Sequence, residues 1–169
     1  QRAAKLKLDA TLSPESYGTN APPDELGGTA HLSVADKDGN LAACTTTLNT
    51  RFGSLVHVPE YGIILNNQMA DFNVEPGKPN IYGLIGNEQN AVAPQNRPLS
   101  SMSPTLVTRD GQPLMTIGAS GGPTIITGVY FTLLHAILDG ASPLEAVTTP
   151  RIHHQWMPHT LYVESQDLP

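Results

Sequence analysis

The sequence is poor in the residues that most readily disclose a function. It has a single cysteine, Cys44, so neither a disulfide nor a thiolate zinc site can form within the chain. Lying in the apolar stretch 41–44, that cysteine reads as a buried thiol. There is no run of Lys or Arg, and the net charge of -6 leaves no footprint for a phosphate backbone, which argues against nucleic acid as a partner. Charged residues make up only 14% of the chain, so long charged helices are missing. No stretch approaches the roughly 20 apolar residues of a membrane-spanning helix, and the opening Gln1-Arg2-Ala3-Ala4-Lys5 has no signal-peptide core. The chain starts without Met and ends at Asp167-Leu168-Pro169, so a targeting segment is expected upstream if there is one. What is plentiful is Gly and Pro, 15 of each in 169 residues, which suits a compact, turn-rich β or α/β domain better than a helical bundle.

Periodicity divides the chain. Residues 1–28 read as a short helical tail and a Pro- and Gly-containing segment open to cleavage, ending in Gly27-Gly28. From Thr29, Leu32 and Val34 alternate with His31 and Ser33, Asp36 to Asn40 makes a turn, and Leu41 to Thr50 runs extended, which predicts a β-hairpin. Gly62 to Leu65 is a third short strand. Residues 73–98 form a long loop, either disordered or functional. A second hairpin spans Thr105–Thr108 and Leu114–Ile117. The stretch Gly118 to Gly122 opens a helix with apolar residues at Ile126, Val129, Tyr130, Leu133, Leu134, Ile137 and Leu138, closed by Asp139-Gly140. Ser142 and Glu145 are spaced as a capping box for a shorter helix through Val147. Two facing hairpins and a central helix suggest layered α/β with antiparallel sheet, and there are no internal repeats.

Three features could carry chemistry, each with a plainer reading beside it. Gly28-Thr29 places a processable segment before a β-branched hydroxyl residue whose stiff χ1 would aim its Oγ, or Thr29 merely begins a strand. Gly118-Ala119-Ser120-Gly121-Gly122 ahead of a helix could receive an oxyanion on backbone N–H groups, or it is a structural turn. The hydroxyls of Ser100, Ser101 and Ser103, with the amides of Asn66, Asn67 and Gln68 and the carboxylate of Asp71, either solvate loops or grip a ligand bearing both charges of an amino acid.

Taken in order, Thr29 to Val34, Thr47-Leu48-Asn49-Thr50, Leu65 to Phe72, Arg97 to Thr105, Gly118 to Gly122 and Pro150 to Trp156 resemble the small subunit of gamma-glutamyltranspeptidases. The likeness runs from Thr29 nearly to the end. It implies an α+β fold, the αββα sandwich of N-terminal nucleophile hydrolases, only part of it in this chain. Residues 1–28 would be the end of the large subunit with its processing segment, and residues 29–169 the small, catalytic subunit, C-terminally incomplete.

The resemblance also implies roles. Gly28-Thr29 would be the scissile bond and Thr29 the nucleophile, its freed α-amine acting as base. Thr47 would orient Thr29, and the N–H groups of Gly121 and Gly122 would form the oxyanion hole. Asp71 would hold the substrate α-amino group with Asn49 and Gln68 beside it, and Ser100 and Ser101 would hold its α-carboxylate. Residues 76–87 would be a lid with Tyr82 as the wall over the nucleophile. The implied donors are glutathione or other gamma-glutamyl amides and the acceptors water, amino acids or peptides, with no metal or other cofactor. A large subunit, carrying the family's carboxylate-binding arginine, would be the partner, and the compartment periplasmic or secreted. A related cephalosporin or glutaryl acylase, or an unprocessed precursor serving only as a binding module, are the alternatives. His153 and His154 tempt a metal reading, but neighbours on an extended segment point opposite ways, so they are taken as structural. Pro123-Thr124 departs from the Ser-Arg of bacterial members, which bears on acceptor contacts.

Overall fold

Turn chemistry sets the first element. In the computed structural model, which describes residues 28–164, β1 (Thr29–Ala35) pairs antiparallel with β2 (Leu41–Thr47) in a register that puts Thr29 opposite Thr47. The Asp36 carboxylate closes the loop by accepting from the N–H groups of Asp38 and Asn40, each at 2.9 Å, and from Asn40 Nδ2 at 2.7 Å. These bonds hold the Asp36 carboxyl below the ordinary aspartate range. The expected extended run to Thr50 stops at Thr47, because Asn49 takes a left-handed conformation with φ 75°.

A short pair, β3 (His57–Val58) with β4 (Ile63–Ile64), supplies the predicted third strand together with a partner the periodicity did not reveal. The second hairpin joins β5 (Thr105–Arg109) to β6 (Gln112–Ile117) through Asp110 and Gly111, both at positive φ (53° and 76°), the two-residue turn whose twist matches the strands. The hairpins pack together, and the Thr116 hydroxyl, on β6, donates to the Ala42 carbonyl on β2 at 3.1 Å. Helix α1 (Thr124–Ile137) lies against α2 (Pro143–Thr148) and against β7 (Ile152–His153), which pairs with β8 (Tyr162–Val163). Both halves of the capping box are made at α2: Glu145 N–H donates to Ser142 Oγ at 3.3 Å, and Ser142 N–H to the Glu145 carboxylate at 2.8 Å. The result is an α+β chain of antiparallel pairs.

Burial revises two expectations. Cys44 is exposed, since it points with Leu32 to the outer face of the hairpin while Thr29, His31, Thr45 and Thr47 turn inward. Of the apolar stripe read on α1 only Val129 is buried, while Ile126, Tyr130, Ile137 and Leu138 are exposed, and the buried face is completed by Ile125 and Thr132, which the stripe did not include. Among the described residues only Phe72, Ile125, Val129 and Ala146 are buried apolar side chains, and the apolar faces of both hairpins stay open at Leu32, Val34, Leu106 and Leu114. The helical tail and processing segment expected before Gly28 lie outside the described residues.

Candidate active site

The pairing of β1 with β2 brings two hydroxyls together at the open end of the hairpin. Thr29 Oγ1 lies 2.8 Å from Thr47 Oγ1, which also accepts the Asn49 N–H at 2.8 Å. The Gly28 carbonyl oxygen faces the same spot and accepts from Leu48 N–H at 3.0 Å and from the Thr47 hydroxyl at 3.3 Å. One proton arrangement satisfies all these contacts: Thr29 donates to Thr47, and Thr47 donates to the Gly28 carbonyl. Only glycine fits before Thr29, because a Cβ at Gly28 would collide with the Thr50 carbonyl oxygen.

Beyond the hydroxyl pair lies a cavity of about 300 Å³, lined among others by Thr29, Thr47, Asn49, Gln68, Asp71, Tyr82, Ser100, Ser101 and Gly122. Nine of the ten predicted site residues therefore border one space, and the tenth, Gly121, precedes Gly122 in the chain. Asp71 ends a short 3₁₀ turn (Gln68–Asp71) and accepts from Gln68 Nε2 at 2.6 Å, which leaves Gln68 Oε1 buried without a partner among the described residues. Burial holds the Asp71 carboxyl above the ordinary aspartate range, opposed in part by the Gln68 bond. Asn49 is buried, its Nδ2 donating to the Asn67 carbonyl at 3.2 Å and its Oδ1 accepting the Tyr82 hydroxyl at 2.5 Å. Burial, with the Asp71 charge a lesser cause, pushes the Tyr82 phenol up, so it stays protonated and remains a donor.

At the other wall, Gly121 (φ 132°) and Gly122 (φ 59°) form the turn that enters α1. Neither N–H has an acceptor among the described residues, and both stand at the positive end of the helix dipole. The Tyr82 ring covers Gly122 so closely that a Cβ there would come within 2.9 Å of Tyr82 Cε1. Ser101 donates its hydroxyl proton to the Gly122 carbonyl at 3.0 Å, so here it braces the glycine turn and would have to rotate to meet a carboxylate. Ser100 Oγ accepts from Met102 N–H at 3.2 Å and keeps its own proton available.

Several residues at this cavity were not singled out from sequence. Asn90 is buried, donates to the Asp71 carbonyl at 2.7 Å and accepts Leu99 N–H at 3.0 Å. Asn73 is buried and donates to the Asn87 carbonyl at 2.7 Å. These amides bracket the long loop 73–98 and give it order without regular strands. His153 is buried and His154 exposed, opposite ways as expected. Among the described residues no group of three or more His, Cys, Asp or Glu side chains converges on a point. A larger cavity, about 400 Å³, is bounded by Ser120, Thr127, His153, Tyr162 and Glu164 among others and contains none of the predicted site residues. Size is the weaker guide here, since the smaller cavity gathers the hydroxyl pair, the carboxylate and the glycine turn.

The chain is similar to known proteins of one family. The family model described as gamma-glutamyltranspeptidase matches residues 1–169. The glutathione hydrolase proenzyme of Escherichia coli (strain K12) is 52% identical over 142 residues, covering 84% of this chain and 24% of that protein. That of Pseudomonas sp. (strain A14) is 45% identical over 165 residues, covering 94% and 29%. A crystal structure of a mutant Helicobacter pylori gamma-glutamyltranspeptidase superposes with a TM-score of 0.79 at 42% identity, over 82% of this chain and 75% of that one. The chain thus spans about a quarter to under a third of the length of these curated relatives.

Proposed function

This chain belongs to the gamma-glutamyltranspeptidase family, and from that premise we propose that it transfers gamma-glutamyl groups from glutathione or similar amides to water or to amines, after cutting itself between Gly28 and Thr29. As a family member it has the α+β N-terminal nucleophile hydrolase fold, of which the described residues form part. On this reading residues 1–28 close the large subunit, residues 29–169 belong to the small one, and the two subunits work as a heterodimer. Placement in the periplasm or outside the cell belongs to the same proposal, with fractionation of the full-length protein as its check.

The observation that carries the reading is the hydroxyl of Thr29 set 2.8 Å from that of Thr47, with the Gly28 carbonyl held by two donors in the same cluster. In the unbroken chain those donors polarise the carbonyl that Thr29 Oγ attacks. The Gly28 acyl group moves from nitrogen to oxygen, and water then releases the Gly28 carboxylate and leaves Thr29 with a free α-amine. That amine, with a reference pKa of about 7.7 to 8, takes the Thr29 hydroxyl proton when a donor arrives. Oγ adds to the gamma-carbonyl, the developing oxyanion meets the Gly121 and Gly122 N–H groups, and the departing amine leaves with the proton. Thr47, released from Gly28, can then donate to Thr29 Oγ.

The opposite wall fits the head of a gamma-glutamyl donor. The Asp71 carboxylate, held by Gln68, suits an ammonium. Ser100 supplies a hydroxyl donor for the carboxylate, and the remaining charge complement is expected from the large subunit. A glutaryl acylase would have no amino group to place against Asp71, which disfavours that alternative. An inert precursor would keep Gly28 joined to Thr29. The test is hydrolysis of a gamma-glutamyl anilide by the full-length protein. Turnover in the wild type and its loss in Thr29→Ala are expected, and activity retained in Thr29→Ala would remove Thr29 as nucleophile.

A further inference from the structure

The tip of the 76–87 segment is a self-contained turn. Asn80 Oδ1 accepts the N–H groups of Tyr82 at 2.9 Å and Leu84 at 3.0 Å, and Asn80 N–H donates to the Leu84 carbonyl at 2.9 Å. Those bonds shape the turn without fixing where it sits. Tyr82 does that from both ends. Its hydroxyl reaches Asn49 in the candidate site, and its backbone carbonyl accepts Gln155 Nε2 at 2.8 Å, a contact across 73 residues of chain. Next to it, Gly83 rests on Pro158, where a Cβ would come within 2.9 Å of the proline Cδ.

Gln155 is itself held by every polar atom of its amide. Nε2 also donates to the Met157 carbonyl at 3.1 Å, and since both backbone carbonyls can only accept, the amide orientation is fixed with Oε1 toward His153 Nε2, 2.9 Å away. His153 must therefore carry its proton on Nε2, and its Nδ1 lies 2.8 Å from the Thr127 hydroxyl, whose single proton is shared with the Thr124 carbonyl at 3.1 Å. His153 is only 8% exposed, and Thr127 belongs to α1, the helix entered by the Gly121–Gly122 turn. A continuous chain of hydrogen bonds thus runs from α1 through Thr127, His153 and Gln155 to the carbonyl of Tyr82.

Resting on the function proposed above, we infer that Gln155, aligned by His153, is a positioning residue that latches Tyr82 over the nucleophile and so sets how an acyl-enzyme divides between water and amine acceptors. It touches neither substrate nor reacting atoms. Its effect passes through Tyr82, whose ring covers Gly122 and whose hydroxyl holds Asn49. With the latch lost, the Tyr82 carbonyl loses its partner, the wall leaves its closed position more often, and water gains access to the ester. Loss of one neutral hydrogen bond changes the closed population by roughly fivefold.

Gln155→Glu and Gln155→Leu test this in the full-length, processed two-subunit protein. The first keeps an acceptor for His153 but sets a carboxylate against the Tyr82 and Met157 carbonyls, whereas the second removes every bond. Consumption of a gamma-glutamyl anilide is measured with and without a dipeptide acceptor, alongside amide hydrogen exchange in peptides covering 76–87. The expected result in both variants is a transfer-to-hydrolysis ratio lowered about fivefold, intact cleavage at Gly28-Thr29, and faster exchange in 76–87 only. Transfer and hydrolysis falling in parallel at an unchanged ratio would mark a structural role and overturn the inference, as would unaltered exchange in 76–87. If the wild type turns over no gamma-glutamyl donor, the proposed function fails first, and the exchange measurement still decides whether Gln155 holds the segment.

Discussion

At the level of single residues, Asp71 joins recognition to stability. On the proposed function, Asp71→Ala would remove a charge-assisted contact with the donor ammonium, typically about 1.5 to 3 kcal/mol, so KM for gamma-glutamyl donors should rise, and an unchanged KM takes Asp71 out of the pocket. Burial raises the Asp71 carboxyl in the folded chain, so near the ordinary aspartate value the folded state holds a proton that the unfolded state has lost. The cost of the buried charge is then complete above the raised value and is relieved as pH falls through it. Asp71→Asn should therefore stabilise the protein at neutral pH, with a gain that disappears in acid, when urea unfolding is followed across pH. The acid limb of kcat/KM should lie above the ordinary aspartate range in the wild type, because a protonated Asp71 gives up its attraction for the ammonium. Sequence singled out Thr29, Asp71 and the glycine pair as candidates, since a hydroxyl after a Gly-Gly segment, a carboxylate and a Gly-rich turn carry recognisable chemistry, and Thr47 entered only through the family resemblance. It left Asn73, Asn90 and Gln155 silent, because a buried amide looks like any loop amide until its distant partners are in place.

Among the elements, local signals were most readable where chemistry is local. The second hairpin and the Ser142 capping box both formed where the sequence predicts them. Ser142→Ala should cost about 1 kcal/mol in the assembled protein by chemical denaturation, a cost that Ser142→Thr should largely avoid. Helix α1 was read correctly as a helix but not in its facing, because it is apolar on more than one side and periodicity cannot say which side this chain covers. Strand β3, two residues long, exists only through its pairing with β4 and has no signal of its own. The end of β1 carries a steric demand: Gly28→Ala would drive a methyl group into the Thr50 carbonyl, displacing the Gly28 carbonyl from Leu48 and Thr47. Slower self-cleavage is the expected outcome, read as persistence of the uncut band over time, and cleavage at the wild-type rate would show that the two donors do not matter.

At the scale of the whole molecule, the described residues resemble one layer of a larger body. Four buried apolar side chains make a small core, while Leu32, Leu106, Ile126, Tyr130 and Leu138 stand more than half exposed. On the proposed function this surface meets the large subunit, so residues 28–164 expressed alone should self-associate, whereas co-production with a large subunit should give a soluble pair on size-exclusion chromatography. A soluble monomer from the short piece would contradict that. Sequence periodicity could not disclose this exposure, because it reports which residues are apolar and not what packs on them. The proposed chemistry comes down to the bond between Gly28 and Thr29. Its most direct test is the intact mass of the purified full-length protein after incubation at neutral pH, beside Thr29→Ala. Two fragments whose masses place the break between Gly28 and Thr29, with Thr29→Ala remaining whole, is the predicted result; an uncut wild-type chain that nonetheless turns over gamma-glutamyl donors would contradict it.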